Sequence, residues 1–185
     1  MTKLSGISTN ARPHSVFCFK IPRYMDDGSV RLRPLRISDI PFIHTGLRDE
    51  DIMKSLGPSR PLVGSWFHLW WSLRKSLMFR YAVEADSSLI GFAGLFYVLP
   101  GKSAELTLMI TDEKNRRLGY GSRAFNLIAQ ALEKYSSVEE LIVRVTSDNE
   151  AALSFWSRLG LEKQDTPGNM QIITITINLR HKESQ

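Results

Sequence analysis

Arg116-Arg117-Leu118-Gly119-Tyr120-Gly121-Ser122 joins a basic pair to two closely spaced glycines and opens directly into an apolar-periodic segment. Glycine at 119 and 121 lets the backbone turn tightly and bring successive N–H groups against an anion. At a helix N-terminus those donors lack intrahelical partners and lie at the positive end of the helix dipole. The pattern describes a pyrophosphate cradle. Taken alone, Gly-x-Gly serves equally as a structural turn, so the flanking elements have to decide.

Upstream, Ala104 to Thr111 alternates: Ala104, Leu106, Leu108 and Ile110 face one way, Glu105, Thr107 and Met109 the other. One face of this strand is apolar and the other carries a carboxylate. Downstream, Leu118, Gly121, Phe125, Ile128, Leu132 and Tyr135 recur three and four apart, which predicts one long helix from Leu118 to Tyr135. Leu141, Val143 and Val145 mark the next strand. Ser147 with Glu150 reads as a capping box for a helix carrying Ala152, Phe155, Trp156 and Leu159 and stopped by Gly160. Ile173, Ile175, Ile177 and Leu179 form a last alternating strand.

The N-terminal half carries other signals. Residues up to Ser15 are polar and aperiodic. Val16 to Ile21 reads as a first strand, and Asp26-Asp27-Gly28 as the turn into a second at Val30 to Leu35. Ser38 opens a helix with Ile40, Ile43 and Leu47 on one side; a second short helix runs from Asp49 to Leu56, and Leu62 to Leu77 forms a third. Phe79 to Val83 and Leu89 to Val98 follow as strands around the turn residues Asp86-Ser87-Ser88.

Length suits one domain of 185 residues, and 43% hydrophobic with 23% charged residues is ordinary for a folded globular chain. The net charge of +5 is spread along the chain without a dense basic run, so nucleic acid ranks last among partners. Cys18 is the only cysteine, which excludes an intrachain disulfide and a CxxC pair and fits a reducing, cytoplasmic setting. No stretch approaches the roughly 20 apolar residues that span a bilayer. His14, His44, His68 and His181 show no ligand spacing, so no metal is expected.

Two nucleotide motifs fail at the cradle. A dinucleotide fingerprint would need an acidic residue closing the following strand, which instead ends Val143-Arg144-Val145-Thr146. A P-loop would need Gly-Lys-Ser or Gly-Lys-Thr, which is absent. The segment resembles instead the GNAT superfamily of acyl-CoA N-acyltransferases, whose motif is Arg or Gln, two variable residues, Gly, one variable residue, then Gly or Ala. Arg116, Gly119 and Gly121 match it, and Asn149, Ala152 and Gly160-Leu161 match a second element of the family. The resemblance covers about Val30 to Leu179. Val30-Arg31-Leu32-Arg33-Pro34-Leu35 with Ser38-Asp39 looks like the branch that includes ribosomal-protein N-terminal and spermidine acetyltransferases.

The resemblance implies an α/β (α+β) fold with a mixed, mainly antiparallel sheet flanked by helices. That sheet would splay between the strand ending at Thr111 and the strand at Leu141 to Thr146. Residues 1–28 would be an N-terminal arm with a candidate edge strand, 29–181 a single N-acetyltransferase domain, and 182–185 a tail. Acetyl-CoA would be the co-substrate and a primary amine the acceptor, on a small molecule, a polyamine or a protein N-terminus. A homodimer is compatible with this reading.

By position, the N–H groups of Leu118, Gly119, Tyr120, Gly121 and Ser122 would hold the pyrophosphate. Met109, Ile110 and Thr111 would pair with the pantetheine arm like an added strand, and Asn149 and Trp156 would also contact the cofactor. Arg116 and Arg117 pair with phosphate or are simply solvated. Glu105 is the candidate general base, because an amine is mostly protonated near neutrality and must lose a proton to attack. The other reading of Glu105 is an ion-paired strand glutamate. Trp156 stands where the family commonly has a tyrosine, and an indole N–H cannot usefully protonate a thiolate. An acyl-CoA-binding module without chemistry is therefore the alternative. Trp66, Phe67, Trp70 and Trp71 form a stripe divided between core packing and a lid over the acceptor.

Overall fold

Asp26 and Asp27 turn the chain through a hairpin with their own carboxylates. Asp26 accepts from Gly28 N at 2.7 Å, and Asp27 accepts from Ser29 N at 2.9 Å and Val30 N at 2.8 Å. In the computed structural model, which describes residues 20–46, 79–164 and 172–179, this turn joins β1 (Met25–Asp26) to β2 (Val30–Pro34). The strand expected at Val16 to Ile21 is corrected at its end: Lys20 and Ile21 are not in a strand, and 16–19 lie outside the described residues. Lys20 N donates instead to Tyr135 O, and Ile21 is buried in the main core. The helices expected at 49–56 and 62–77, with the aromatic stripe, also lie outside the described residues.

A short 3-10 turn at Ile37–Asp39 leads into α1 (Ile40–Gly46), followed by β3 (Phe79–Ala85), β4 (Ser88–Leu99) and β5 (Ser103–Ile110). Asp86 and Ser87 both have positive φ, 49° and 60°, the handedness a two-residue hairpin needs to match strand twist. Then come α2 (Tyr120–Tyr135), β6 (Glu140–Thr146), α3 (Glu150–Arg158), β7 (Glu162–Gln164) and β8 (Ile172–Asn178). The strands form one sheet in the order β1-β2-β3-β4-β5-β6-β8-β7. Each neighbouring pair is antiparallel except β5 with β6.

That parallel pair is short. Ser103, Ala104 and Glu105 pair with Glu140, Leu141 and Ile142, and there the pairing stops. β5 continues against β4 to Ile110 while β6 continues against β8 to Thr146. The mixed, mainly antiparallel sheet is thus splayed between β5 and β6, with Glu105 at the fork.

Helices cover both faces. α2 buries Ala124, Phe125, Ile128, Ala131 and Leu132 against the apolar faces of β2 to β6. Phe125, Ile128 and Leu132 each contribute roughly 1.5–3 kcal/mol by leaving water. Leu118 and Tyr135, expected on this face, are 60% and 41% exposed. The helix starts at Tyr120, so Leu118 belongs to the preceding loop, and Tyr135 is the last residue of the helix. On the opposite face Ile40 and Ile43 pack with Phe92 and Met109 in a smaller cluster.

A buried ion triad seats α1. Arg33 donates to both oxygens of Asp39 at 2.7 and 3.0 Å and through Nε to Glu84 at 2.7 Å, while Asp39 also accepts from Arg36 N. Burial alone would raise the Asp39 carboxyl, but Arg33 and the Arg36 N–H outweigh it and hold it below the usual carboxylate range. The Arg-Pro-Leu…Ser-Asp pattern of the sequence is this strand-to-helix clasp.

Candidate active site

The cradle is assembled where β5 runs out. Thr111 N and Asp112 N both donate to Ile90 O, and the Asp112 carboxylate accepts from Lys114 N and Asn115 Nδ2 to form a tight 3-10 turn. Arg116 is extended, Arg117 has φ 64°, and Gly119 has φ 86° and ψ −5°. Arg123 N is the donor to Gly119 O, the first bond of α2. The N–H groups of Tyr120, Gly121 and Ser122 precede it, so they have no acceptor within the helix, and Gly119 has no side chain to cap them. They stand as oriented donors at the head of a 16-residue helix, an arrangement suited to an anion.

The two glycines are required for different reasons. A Cβ at Gly119 would meet nothing within 4 Å, so the demand there is the left-handed backbone. A Cβ at Gly121 would lie 3.3 Å from Phe155 Cζ and 3.8 Å from Ile110 Cγ1, so the demand there is close approach of α2 to α3 and β5.

Between cradle and fork runs a strand edge with which no strand among the described residues pairs. Because Thr111 N bonds Ile90 O, alternation along the antiparallel β4–β5 pair turns the backbone groups of Thr111, Met109 and Thr107 toward β4. Those of Leu106, Leu108 and Ile110 face the splay. Of the three residues expected to pair with a strand-like ligand, Ile110 faces the opening; Leu108, absent from that set, faces it too. From Glu105 to Ile110 the edge is about 17 Å long at strand rise.

At the fork, Glu105 Oε2 lies 2.8 Å from Arg144 Nε, with the carboxylate side chain 17% and the guanidinium 54% exposed. Both are on the sheet face opposite the main core. Glu105 is therefore an ion-paired strand glutamate in the free protein, and it stands beside the opening. Arg144 was legible as an outward residue between Val143 and Val145, but the parallel register that brings it to Glu105 was not.

Other expected residues take mixed places. Asn149 caps α3, its Oδ1 accepting from Ala152 N at 3.0 Å. The capping box at Ser147 and Glu150 is thus corrected by two residues: a turn closed by Asn149 N to Thr146 O leaves β6, and only after it can the helix begin. Trp156 is 4% exposed in the main core, edge-on to Phe125 at 5.6 Å and to Phe155 at 4.8 Å. Arg116 folds back on β5, with Nε 3.1 Å from Ile110 O and Nη2 3.3 Å from Thr111 O. Beside the cradle a groove of about 440 Å³ is lined by Ser122, Asn126, Gln130 and the Asp27–Arg123 ion pair.

Solved structures share this architecture at low sequence identity. A ribosomal L7/L12 alpha-N-protein acetyltransferase in complex with coenzyme A superposes with a TM-score of 0.68 at 14% identity, over 84% of this chain and 97% of that one. A spermidine N-acetyltransferase from Vibrio cholerae, in complex with CoA and spermine, has a TM-score of 0.63 at 21% identity, covering 83% and 97%. An aminoglycoside acetyltransferase in complex with coenzyme A has a TM-score of 0.67 at 14% identity, covering 81% and 95%. No curated protein sequence matches. The family model described as "Acetyltransferase (GNAT) domain" matches residues 29–162, which take in β2, the fork, the cradle and α3. The chain belongs to the GNAT acetyltransferase family.

Proposed function

We propose that the protein transfers an acetyl group from acetyl-CoA to a primary amine by direct attack. The observation that carries this reading is the juxtaposition of three parts in order along one strand: an anion cradle at the head of α2, an open β5 edge of about 17 Å, and a carboxylate at the fork. A pyrophosphate suits the oriented N–H groups of Tyr120 to Ser122, and an amide-bearing arm suits the backbone groups of Leu108 and the Ile110 N–H. The thioester then lies toward Glu105.

The acceptor arrives as an ammonium and must become neutral. Glu105 takes one proton directly or through one water, the nitrogen bonds to the acetyl carbon to give a tetrahedral intermediate, and as the carbon–sulfur bond breaks the nitrogen's second proton passes through water to the departing thiolate. Thiols ionise near 8.5, so the thiolate is a fair leaving group and can take its proton from water. No step calls on Trp156, which has no acid proton to give. Arg144 holds Oε2 of Glu105, so the incoming amine either displaces Arg144 or gives its proton to Oε1.

The similar structures are named for a protein N-terminus, spermidine and an aminoglycoside, which supports a primary amine as the acceptor class without selecting one. We place the protein in a reducing, cytoplasmic setting on its single cysteine, and that setting suits this co-substrate. The second reading, an acyl-CoA-binding module without chemistry, draws on the Glu105–Arg144 pair and the absence of a phenol at position 156. Calorimetry with CoA and an acetyl-CoA consumption screen over polyamines, aminoglycosides, amino acids and free-N-terminal peptides separate them. Turnover that Glu105→Gln abolishes while CoA still binds supports the enzyme. CoA binding with no turnover on any amine supports the module, and no CoA binding removes both.

A further inference from the structure

Arginine at the mouth of an anion cradle invites the assumption that it pairs with phosphate. The geometry points elsewhere. Arg116 Nε and Nη2 donate to Ile110 O and Thr111 O, the last carbonyl of β5 and the one just beyond it. Its backbone stands three residues before Gly119, in a loop whose other turns are left-handed at Arg117 and Gly119. The guanidinium thus spans from the cradle loop back to the strand that leads into it.

We infer that Arg116 is a positioning residue that clamps the cradle to the end of β5 and so sets the separation between the strand edge and the phosphate-binding N–H groups. This rests on the acyl-CoA reading of the site. The clamp has a second effect. Ile110 O is the last carbonyl that faces the splay, and Arg116 Nε occupies it, so the strand-like pairing surface for an arm ends at Ile110 N and the anion surface begins immediately after. A ligand with an amide arm at one end and a pyrophosphate at the other meets both surfaces at one fixed distance. Binding of such a ligand gains from having the two halves held in register, as any two-site ligand does.

Side-chain chemistry distinguishes a clamp from a phosphate partner. The glutamine Nε2 is the same number of bonds from Cα as the arginine Nε, so glutamine keeps a donor for Ile110 O and loses the charge. Lysine keeps the charge, but its ammonium is one atom further out and lacks the planar fork that reaches two carbonyls. The two roles therefore rank the variants in opposite orders.

The test is calorimetric titration of CoA into the full chain and its Arg116→Gln, Arg116→Lys and Arg116→Ala variants at two salt concentrations, with thermal melts to verify folding. Adenosine 3′,5′-bisphosphate and pantetheine are titrated as the separated halves. The clamp requires Arg116→Ala to weaken CoA about tenfold or more while changing each half little, because what is lost is their linkage. Arg116→Gln recovers to within about threefold of the parent with an unchanged salt dependence, and Arg116→Lys does not recover. If Arg116→Lys binds like the parent, and Arg116→Gln is as weak as Arg116→Ala with a shallower salt dependence, the arginine serves phosphate and the inference falls.

Amide hydrogen exchange without ligand gives an arm independent of CoA. Faster exchange over 116–121 in Arg116→Ala, restored in Arg116→Gln, supports the clamp; unchanged exchange overturns it. Should the parent fail to bind CoA, the proposed function fails while this arm still decides the clamp.

Discussion

Gly119→Ala isolates backbone conformation from packing more cleanly than any other substitution in the cradle. The added methyl meets no atom within 4 Å, so any effect comes from φ 86°. Holding an L-residue in the left-handed region costs about 1–2 kcal/mol. If the loop keeps its shape, that strain lowers stability by about the same amount. If the loop relaxes, the N–H groups of Tyr120 and Gly121 re-aim, and the loss moves into anion binding as a roughly 5- to 30-fold weaker CoA Kd. Urea unfolding and CoA calorimetry on the same protein read both terms, and their sum is expected near 1–2 kcal/mol. Gly119→Asn is the control, because asparagine tolerates this region and should recover a good part of the loss. Parent-like stability and CoA affinity in Gly119→Ala would refute the reasoning.

Further outcomes follow from the same geometry. Asp39→Ala leaves the buried Arg33 with one carboxylate, Glu84, and the Pro34 carbonyl, and should destabilise by about 3–5 kcal/mol in urea unfolding at pH 7. Since the folded carboxyl is held below its ordinary 3.8, the contribution is complete above that value and drains away as pH falls through the folded one, so parent and variant should converge in acid. Arg144→Ala frees Glu105 from the pair across the fork and should change the acceptor KM more than the KM for acetyl-CoA; equal changes in both would count against displacement of Arg144 by the amine. Asn149→Ala removes the α3 cap and should cost about 1 kcal/mol, with Asn149→Ser restoring stability. If serine restores stability but not CoA affinity, the asparagine amide has a ligand role beyond the cap.

Local features were the legible ones. The alternation of Ala104 to Ile110 placed the β5 faces, and the three-four spacing after Gly119 placed α2. The Gly-x-Gly turn was legible because glycine's backbone freedom is a property of the residue itself, and Gly119 is left-handed in the structure. Errors gathered at boundaries. The strand expected to run to Ile21 does not include Lys20 or Ile21, and among the described residues β2 pairs on that side with Met25 and Asp26, because Asp26 and Asp27 make the turn with their own side chains. The α3 cap was placed two residues early, because a turn out of β6 intervenes.

Residue chemistry and spacing, which act over a few positions, were enough to define the cradle, the apolar faces and the carboxylate on β5. Register, the splay and the partners of charged side chains join segments far apart in the chain, and no local pattern encodes them. Only the tertiary structure put Arg144 on Glu105, turned Leu108 rather than Met109 toward the opening, and bent Arg116 back onto β5. A one-residue change of strand register reverses which backbone groups are free. The glycine turn and the helix it opens were therefore readable in sequence, while the way they are joined to a strand edge and a carboxylate was a decision of the fold.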